Sequence, residues 1–157
     1  MSNSTLYDQD FYAWTNEQAK LLRTGKLSEA DIDHIAEGIE SMGGTEKREL
    51  VSCLAVLLGH MLKWRFQPER GTKSWEATIK IQRRGLTRHL ADNPSLKGEL
   101  DEAIADAYGD AIVAAAGDTG LAKGIFPAAC PWSFEQMMAE DFWPGSLKSP
   151  GGRTLRE

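Results

Sequence analysis

The stretch from Leu50 to Leu62 reads LVSCLAVLLGHML and contains no Asp, Glu, Lys or Arg. Its apolar residues surround almost the whole circumference of a helix, whereas a surface helix would carry a polar face. A helix of this kind is typical of the centre of a helical domain. We therefore predict a central helix over about 46–66, with Thr45 as its N-cap and Pro68 just beyond its end.

Two predicted helices precede the central one. The first begins at Asp8 or Asp10 and stops at Gly25, which suits the left-handed residue that ends many helices. The second follows Ser28, and the pair Gly43-Gly44 ends it and turns the chain back. Its predicted core face consists of five residues at helical spacing: Ile32, Ile35, Ala36, Ile39 and Met42.

The remaining helices follow the central one in sequence. We predict a fourth helix over about 75–91, capped by Ser74, and a fifth over about 95–116. Ser133 begins a short helix that extends to Glu140. No segment shows the six-residue alternation of a strand. The sequence thus predicts an all-α fold: a single-domain antiparallel bundle of about five main helices plus a short C-terminal helix.

Length and composition favour one water-soluble domain. The chain has 157 residues, of which 41% are hydrophobic and 26% charged, and no run is long enough for a membrane span. We expect one domain over 1–144, a disordered tail over 145–157 with little apolar content, and a cytoplasmic protein without membrane contact. The N-terminal MSNSTLYDQD lacks the features of a signal peptide.

The first candidate site combines carboxylates of the second helix with His60 of the third. Histidine titrates near neutrality and can serve as a general base or a metal ligand. If the Gly43-Gly44 turn folds the second helix back, Glu40 can orient His60, with Glu37 and Lys63 nearby. This pattern predicts an enzyme or metal site centred on Glu40 and His60, whereas the simpler alternative is a structural histidine.

The sequence contains no complete metal-binding or cofactor-binding motif. Asp31 and His34 have the i, i+3 spacing of di-metal bundles, but His34 and Glu37 point away from the predicted core face. Cys53 and Cys130 lack the spacing of zinc ligands, and no glycine-rich phosphate loop is present. We therefore predict no metal and no cofactor.

The second candidate site is a band of positive charge. Residues 63–89 carry 8 Lys and Arg against 2 Asp and Glu, although the whole chain has a net charge of −5. Cations interleaved with tryptophan suit phosphate contacts and base stacking, whereas a pI near 5.3 argues against a nucleic-acid module. The band can equally pair with acidic neighbours. Its candidate binding residues are Lys80, Arg83, Arg84, Arg88, Trp64 and Trp75.

Six segments in order along the chain resemble one protein family. They are DFYAWTNEQAKLLRTGKL from Asp10, IAEGIESMGGTEKREL from Ile35, LLGHMLKWRFQPER from Leu57, SWEATIKIQRR from Ser74, NPSL from Asn93 and EDFWP from Glu140. Together they are similar to the bacterial "domain of unknown function 29" family, over about residues 8–144. The resemblance implies an all-helical bacterial domain and no established activity, substrate or partner.

The leading functional prediction is a non-enzymatic interaction domain with an unknown protein partner. Contact would use the basic face of the fourth helix or the aromatic residues Trp132, Phe142 and Trp143, which we expect to be exposed. The two alternatives are the enzyme or metal site centred on Glu40 and His60 and a nucleic-acid binder that uses the fourth helix. The sequence leaves the partner and the oligomeric state open.

Overall fold

The structure is a computed structural model that describes residues 3–144. Within this range it contains six α-helices and no strand, which confirms the predicted all-α fold class. The predicted disordered tail, 145–157, lies outside the described residues. The helices are α1 Asn3–Gln9, α2 Phe11–Arg23, α3 Ile32–Phe66, α4 Lys73–Asp92, α5 Leu100–Thr119 and α6 Phe134–Met138.

The chain divides into two compact units, 1–46 and 47–157. Unit 1 contains α1, α2 and the first part of α3, and unit 2 contains the rest of α3 together with α4, α5 and α6. Each unit is described by itself below. The expectation of one domain over 1–144 stays a prediction.

The predicted turn at Gly43-Gly44 is wrong, because both glycines lie inside α3. The second and third predicted helices are therefore one helix of 35 residues. A glycine within a helix costs about 1 kcal/mol relative to alanine, which neighbouring helix formers can offset. Among the described glycines, only Gly25 and Gly120 adopt the positive φ that ends a helix.

Unit 1 is organised around α2. The side chain of Asp10 caps this helix by accepting a hydrogen bond from the backbone N–H of Ala13, at 3.0 Å. Trp14, Gln18 and Leu21 form its buried face. The predicted core face of the second helix is a different case: Ile32, Ile39 and Met42 are 54%, 62% and 69% exposed. That prediction was wrong, because helical spacing identifies an apolar face but does not show what covers it.

Unit 2 is built on the second part of α3. All the leucines of this part are fully buried, which confirms the prediction of a central helix. Thr72 rather than Ser74 caps α4, and α5 starts at Leu100 after a 3₁₀ turn. The core residues buried with α3 come from α4, the 3₁₀ turn before α5, α5, α6 and a loop: Ile79, Leu86, Leu90, Leu96, Ala103, Ala107, Tyr108, Ala111, Ala115, Phe126 and Met137.

Candidate functional site

A small pocket in unit 2 lies between α3 and α5 and contains two of the predicted site residues. His60 and Lys63 reach it from α3, and Asp110 and Asp118 reach it from α5. Its volume is about 200 Å³. Small side chains leave this space open, and the rest of its lining consists of Ala55, Val56, Gly59, Ala114 and Ala115. The pocket thus combines an apolar lining with four polar groups.

His60 is a neutral hydrogen-bond acceptor in this pocket. Its Nδ1 lies 3.0 Å from the carbonyl oxygen of Val56, and because a carbonyl can only accept, Nδ1 carries the proton. In the neutral form of the ring, Nε2 keeps its lone pair. Burial lowers the pKa of His60 below its ordinary value, and the positive charge of Lys63 acts in the same direction. A neutral imidazole of this kind can accept a proton or a hydrogen bond.

Lys63 does not serve as a free ammonium group. Although the residue is only 6% exposed, its Nζ forms an ion pair with Asp118 at 3.0 Å. The same Nζ lies 5.0 Å from the ring centre of Trp75. The carboxylate and the aromatic ring together compensate for the burial of this charge.

The proposed pairing of Glu40 with His60 had its basis in a turn that does not exist. The two residues lie twenty positions apart on one helix, α3, so no fold-back brings them together there. Glu40 is exposed, and Glu37 accepts a hydrogen bond from the hydroxyl of Tyr7 at 2.8 Å. Asp110 and Asp118 are the carboxylates that join His60, and sequence reasoning missed them because they lie about 50 positions further along the chain.

The band of positive charge divides into exposed and buried residues. Lys80 is exposed and pairs with Glu76 one turn earlier, at 3.2 Å. Arg84 and Arg88 are exposed as well, and neither forms an ion pair with the described part of the chain. Arg83 was predicted to belong to this outer surface, but it is only 4% exposed. Its side chain lies under the segment that follows α6.

Arg83 connects α4 to residues 137–142, which we call the C-terminal segment. Its Nε donates to the carbonyl oxygen of Met137 at 2.6 Å, and its Nη2 donates to that of Phe142 at 2.8 Å. The guanidinium carbon lies 5.3 Å from the ring centre of Trp143. Nη1 is buried and has no hydrogen-bond partner within residues 3–144. Burial lowers the pKa of Arg83, and the charges of Asp141 and Glu140 oppose that effect.

A cleft of about 430 Å³ lies beside this arginine. One wall consists of α4, and the other consists of Met138 at the end of α6 and Glu140 after it. Its lining residues are Lys80, Arg83, Arg84, Thr87, Met138 and Glu140. Three cations and one carboxylate therefore surround the space.

The predicted aromatic contact residues are packed rather than exposed. Trp64 and Trp143 lie with their ring centres 5.1 Å apart. Trp132, Phe142 and Trp143 are half-buried against the core of unit 2. The expectation that they project into solvent was wrong, because they cover the core around α6.

Unit 1 contains a hydrogen-bonded cluster around Asp31. Its carboxylate accepts from the indole N–H of Trp14 at 3.2 Å and lies 2.8 Å from Nδ1 of His34. The backbone N–H of Asp31 donates to Gln18 at 2.7 Å. The rings of Tyr7 and His34 are stacked with their centres 3.9 Å apart. These contacts join α1, α2 and the start of α3.

We expect the pKa of His34 to lie above the ordinary histidine value of about 6.5 and the pKa of His60 to lie below it. The hydrogen bond to Asp31 raises the pKa of His34, although burial opposes it, whereas burial lowers the pKa of His60. The stabilising contribution of His34 is thus complete below pH ~6.5 and is lost as the pH rises through its raised pKa. NMR titration of the two imidazoles measures both values. An Asp31→Asn variant should return only the His34 pKa towards 6.5, and an unchanged value would contradict this account.

A second surface of unit 1 is the apolar stripe, which we define as Ile32, Ile35, Ala36, Ile39 and Met42. On a helical wheel these residues span about 120° of α3. Three of the four large side chains are more than half exposed, and Ile35 is half-buried. The carboxylates of Glu40, Asp33 and Glu37 share a neighbouring face of α3, about 40°, 60° and 100° beyond one edge of the stripe.

The comparison with protein families gives one match. The profile of the family described as "domain of unknown function DUF29" matches residues 6–143, almost the full described range. The chain belongs to the DUF29 family. No curated protein and no solved structure matches this DUF29 chain.

Two further findings concern metal sites and membrane spans in the described part of the chain. Within residues 3–144, no group of three or more His, Cys, Asp or Glu side chains has the arrangement of a metal site. None of the described helices combines the length and apolar character needed to cross a membrane.

Proposed function

We propose that this protein is an interaction module that binds a basic amphipathic helix of a partner protein on the apolar stripe of α3. The observation that carries the proposal is the exposure of Ile32, Ile39 and Met42, at 54%, 62% and 69%. Single exposed apolar residues are common on protein surfaces, whereas a row of large ones on one helix face marks an interaction site. Burying such a row provides most of the free energy of helix-to-helix binding.

Charge complementarity supports a basic partner. Residues 27–46 contain six Asp and Glu residues and no Lys or Arg. Two of these carboxylates, Glu40 and Asp33, lie about 40° and 60° beyond one edge of the stripe on a helical wheel, where long cationic side chains at flanking positions of a docked helix could reach them. Lysine or arginine at those flanking positions would speed association and favour the correct partner.

The same charges disfavour a second copy of this chain as the occupant. Two stripes packed against each other would bring two segments together that each carry six acids and no cation. Like charges side by side reduce the affinity of helix pairs. A partner helix with a leucine-rich face and lysine or arginine beside it avoids this cost.

A designed peptide provides a direct test. A labelled amphipathic peptide of leucine and lysine, about 15 residues long, should bind the full chain in a fluorescence anisotropy titration. Replacing Ile39 by Asp should weaken this binding at least tenfold, because a charge would enter the centre of the apolar contact. The matched control is Ile81→Asp on α4, where the isoleucine is 63% exposed but lies outside the stripe. It should change the affinity less than twofold.

Three results would contradict the proposal. The first is equal binding of a peptide in which glutamate replaces every lysine. The second is equal loss in the Ile39→Asp and Ile81→Asp proteins. The third is a stable dimer in light scattering that Ile39→Asp dissociates, because a second copy would then be the occupant. Circular dichroism of both variants checks that the helices are intact.

A further inference from the structure

We propose that the cleft beside Arg83 binds a small organic phosphate, of the phosphomonoester class. This inference concerns unit 2 and does not rest on the apolar stripe. The volume of about 430 Å³ falls within the range of about 300–1,000 Å³ that is usual for small-molecule sites. A phosphate group and a small organic substituent fit in such a space.

The charge of the lining favours a doubly charged anion. Lys80, Arg83 and Arg84 contribute three positive charges and Glu140 one negative charge. A phosphomonoester carries a charge of about −1.5 to −2 at pH 7 and three strong acceptor oxygens, so it can contact several of these cations at once. Two other carboxylates lie close: Glu76 pairs with Lys80, and Asp141 acts on Arg83. Arg84 forms no ion pair with any described residue, so its charge is available to a ligand.

Arg83 makes the cleft more than a row of surface cations. It is 96% buried, since only 4% of the residue is exposed, and both of its hydrogen bonds go to backbone carbonyls. Carbonyl dipoles satisfy N–H groups but do not neutralise a full charge. Nη1 remains without a partner among the described residues. In a partly desolvated site this charge attracts an anion more strongly than an exposed arginine would.

The arrangement suits a small molecule better than a nucleic acid. A protein that follows a nucleic-acid backbone uses several exposed cations to neutralise successive phosphates. Here Arg83 is buried, Lys80 already pairs with Glu76, and Arg88 does not line the cleft. Lys80, Arg83 and Arg84 instead line a single cleft.

An NMR titration with phenyl phosphate tests this proposal on the full chain. We expect shift changes confined to the region of Lys80–Thr87 and Met138–Glu140. Arg84→Gln should weaken binding about tenfold, because it removes a lining cation from a partly enclosed site. Arg88→Gln is the matched control one turn further along α4, and it should change the affinity less than twofold. Benzoate, with one charge, should bind about tenfold more weakly than phenyl phosphate.

Several results would overturn the proposal. They are the absence of any shift at millimolar phenyl phosphate, an equal loss in the Arg84→Gln and Arg88→Gln proteins, and equal binding of benzoate. Tighter binding of a short oligonucleotide, weakened by both substitutions, would show that the exposed cations form a nucleic-acid surface instead. Arg83 itself is not substituted in this test, because its hydrogen bonds to the C-terminal segment make it a structural residue as well.

Discussion

Replacing Leu58 by alanine is expected to lower the free energy of unfolding by about 2–5 kcal/mol. Leu58 is fully buried in the second part of α3 and belongs to the core of unit 2. The substitution removes three carbon atoms from contact with their neighbours and leaves a cavity that helices on all sides cannot fully close. Denaturant unfolding followed by circular dichroism measures the change.

The control for Leu58 is Val113→Ala on α5. Val113 is 58% exposed, so its truncation removes little buried surface, and alanine is the better helix former. We expect a change within about 0.5 kcal/mol. A loss below about 1 kcal/mol for Leu58→Ala would contradict its placement at the centre of unit 2.

Replacing Arg83 by methionine is expected to lower the free energy of unfolding by about 2 kcal/mol. Methionine keeps an unbranched apolar stem but cannot donate to the carbonyl oxygens of Met137 and Phe142. The carbonyl of Met137, a fully buried residue, would then lose its charge-assisted bond from α4. Relief from burying a charge offsets part of this loss. Arg83 therefore stabilises the attachment of the C-terminal segment to α4.

Arg84→Gln is the matched control for Arg83, since it changes the adjacent exposed residue of the same helix. It should alter the free energy of unfolding by at most about 0.5 kcal/mol. Hydrogen exchange gives a second measurement: Arg83→Met should speed exchange in the segment from Phe134 to Phe142, and Arg84→Gln should not. Equal stability of the two variants would contradict the structural role of Arg83.

Local chemistry made several features predictable. Asp10 and Ser133 cap helices because their side-chain oxygens accept the backbone N–H of the residue three positions later. Gly25 ends α2 with a positive φ. These signals need only near neighbours in the chain. The same is true of the charge-free stretch Leu50–Leu62, because its composition alone excludes a polar face. Such features can be read without knowledge of the tertiary structure.

Features that depend on distant partners could not be predicted in this way. Arg83 belongs to the predicted basic band because of its charge, and only the carbonyls of Met137 and Phe142, more than 50 positions away, explain its burial. The predicted pairing of His60 with Glu40 depended on a turn at Gly43-Gly44, and both glycines lie inside α3. The pocket of His60 receives Asp110 and Asp118 from α5, a helix with no sequence pattern that points to α3.

The sequence by itself determined the helical class, the central stretch of α3 and the family, because composition, periodicity and caps act over a few residues. The tertiary structure alone decided that α3 continues through Gly43 and Gly44 and that the apolar stripe is exposed. It also decided which residues of the basic band are buried and which are exposed. The physical reason is that a periodic pattern defines a face of a helix, whereas burial depends on which other surface covers that face. Within the described part of unit 1, no element covers the apolar stripe fully, whereas the segment after α6 covers Arg83.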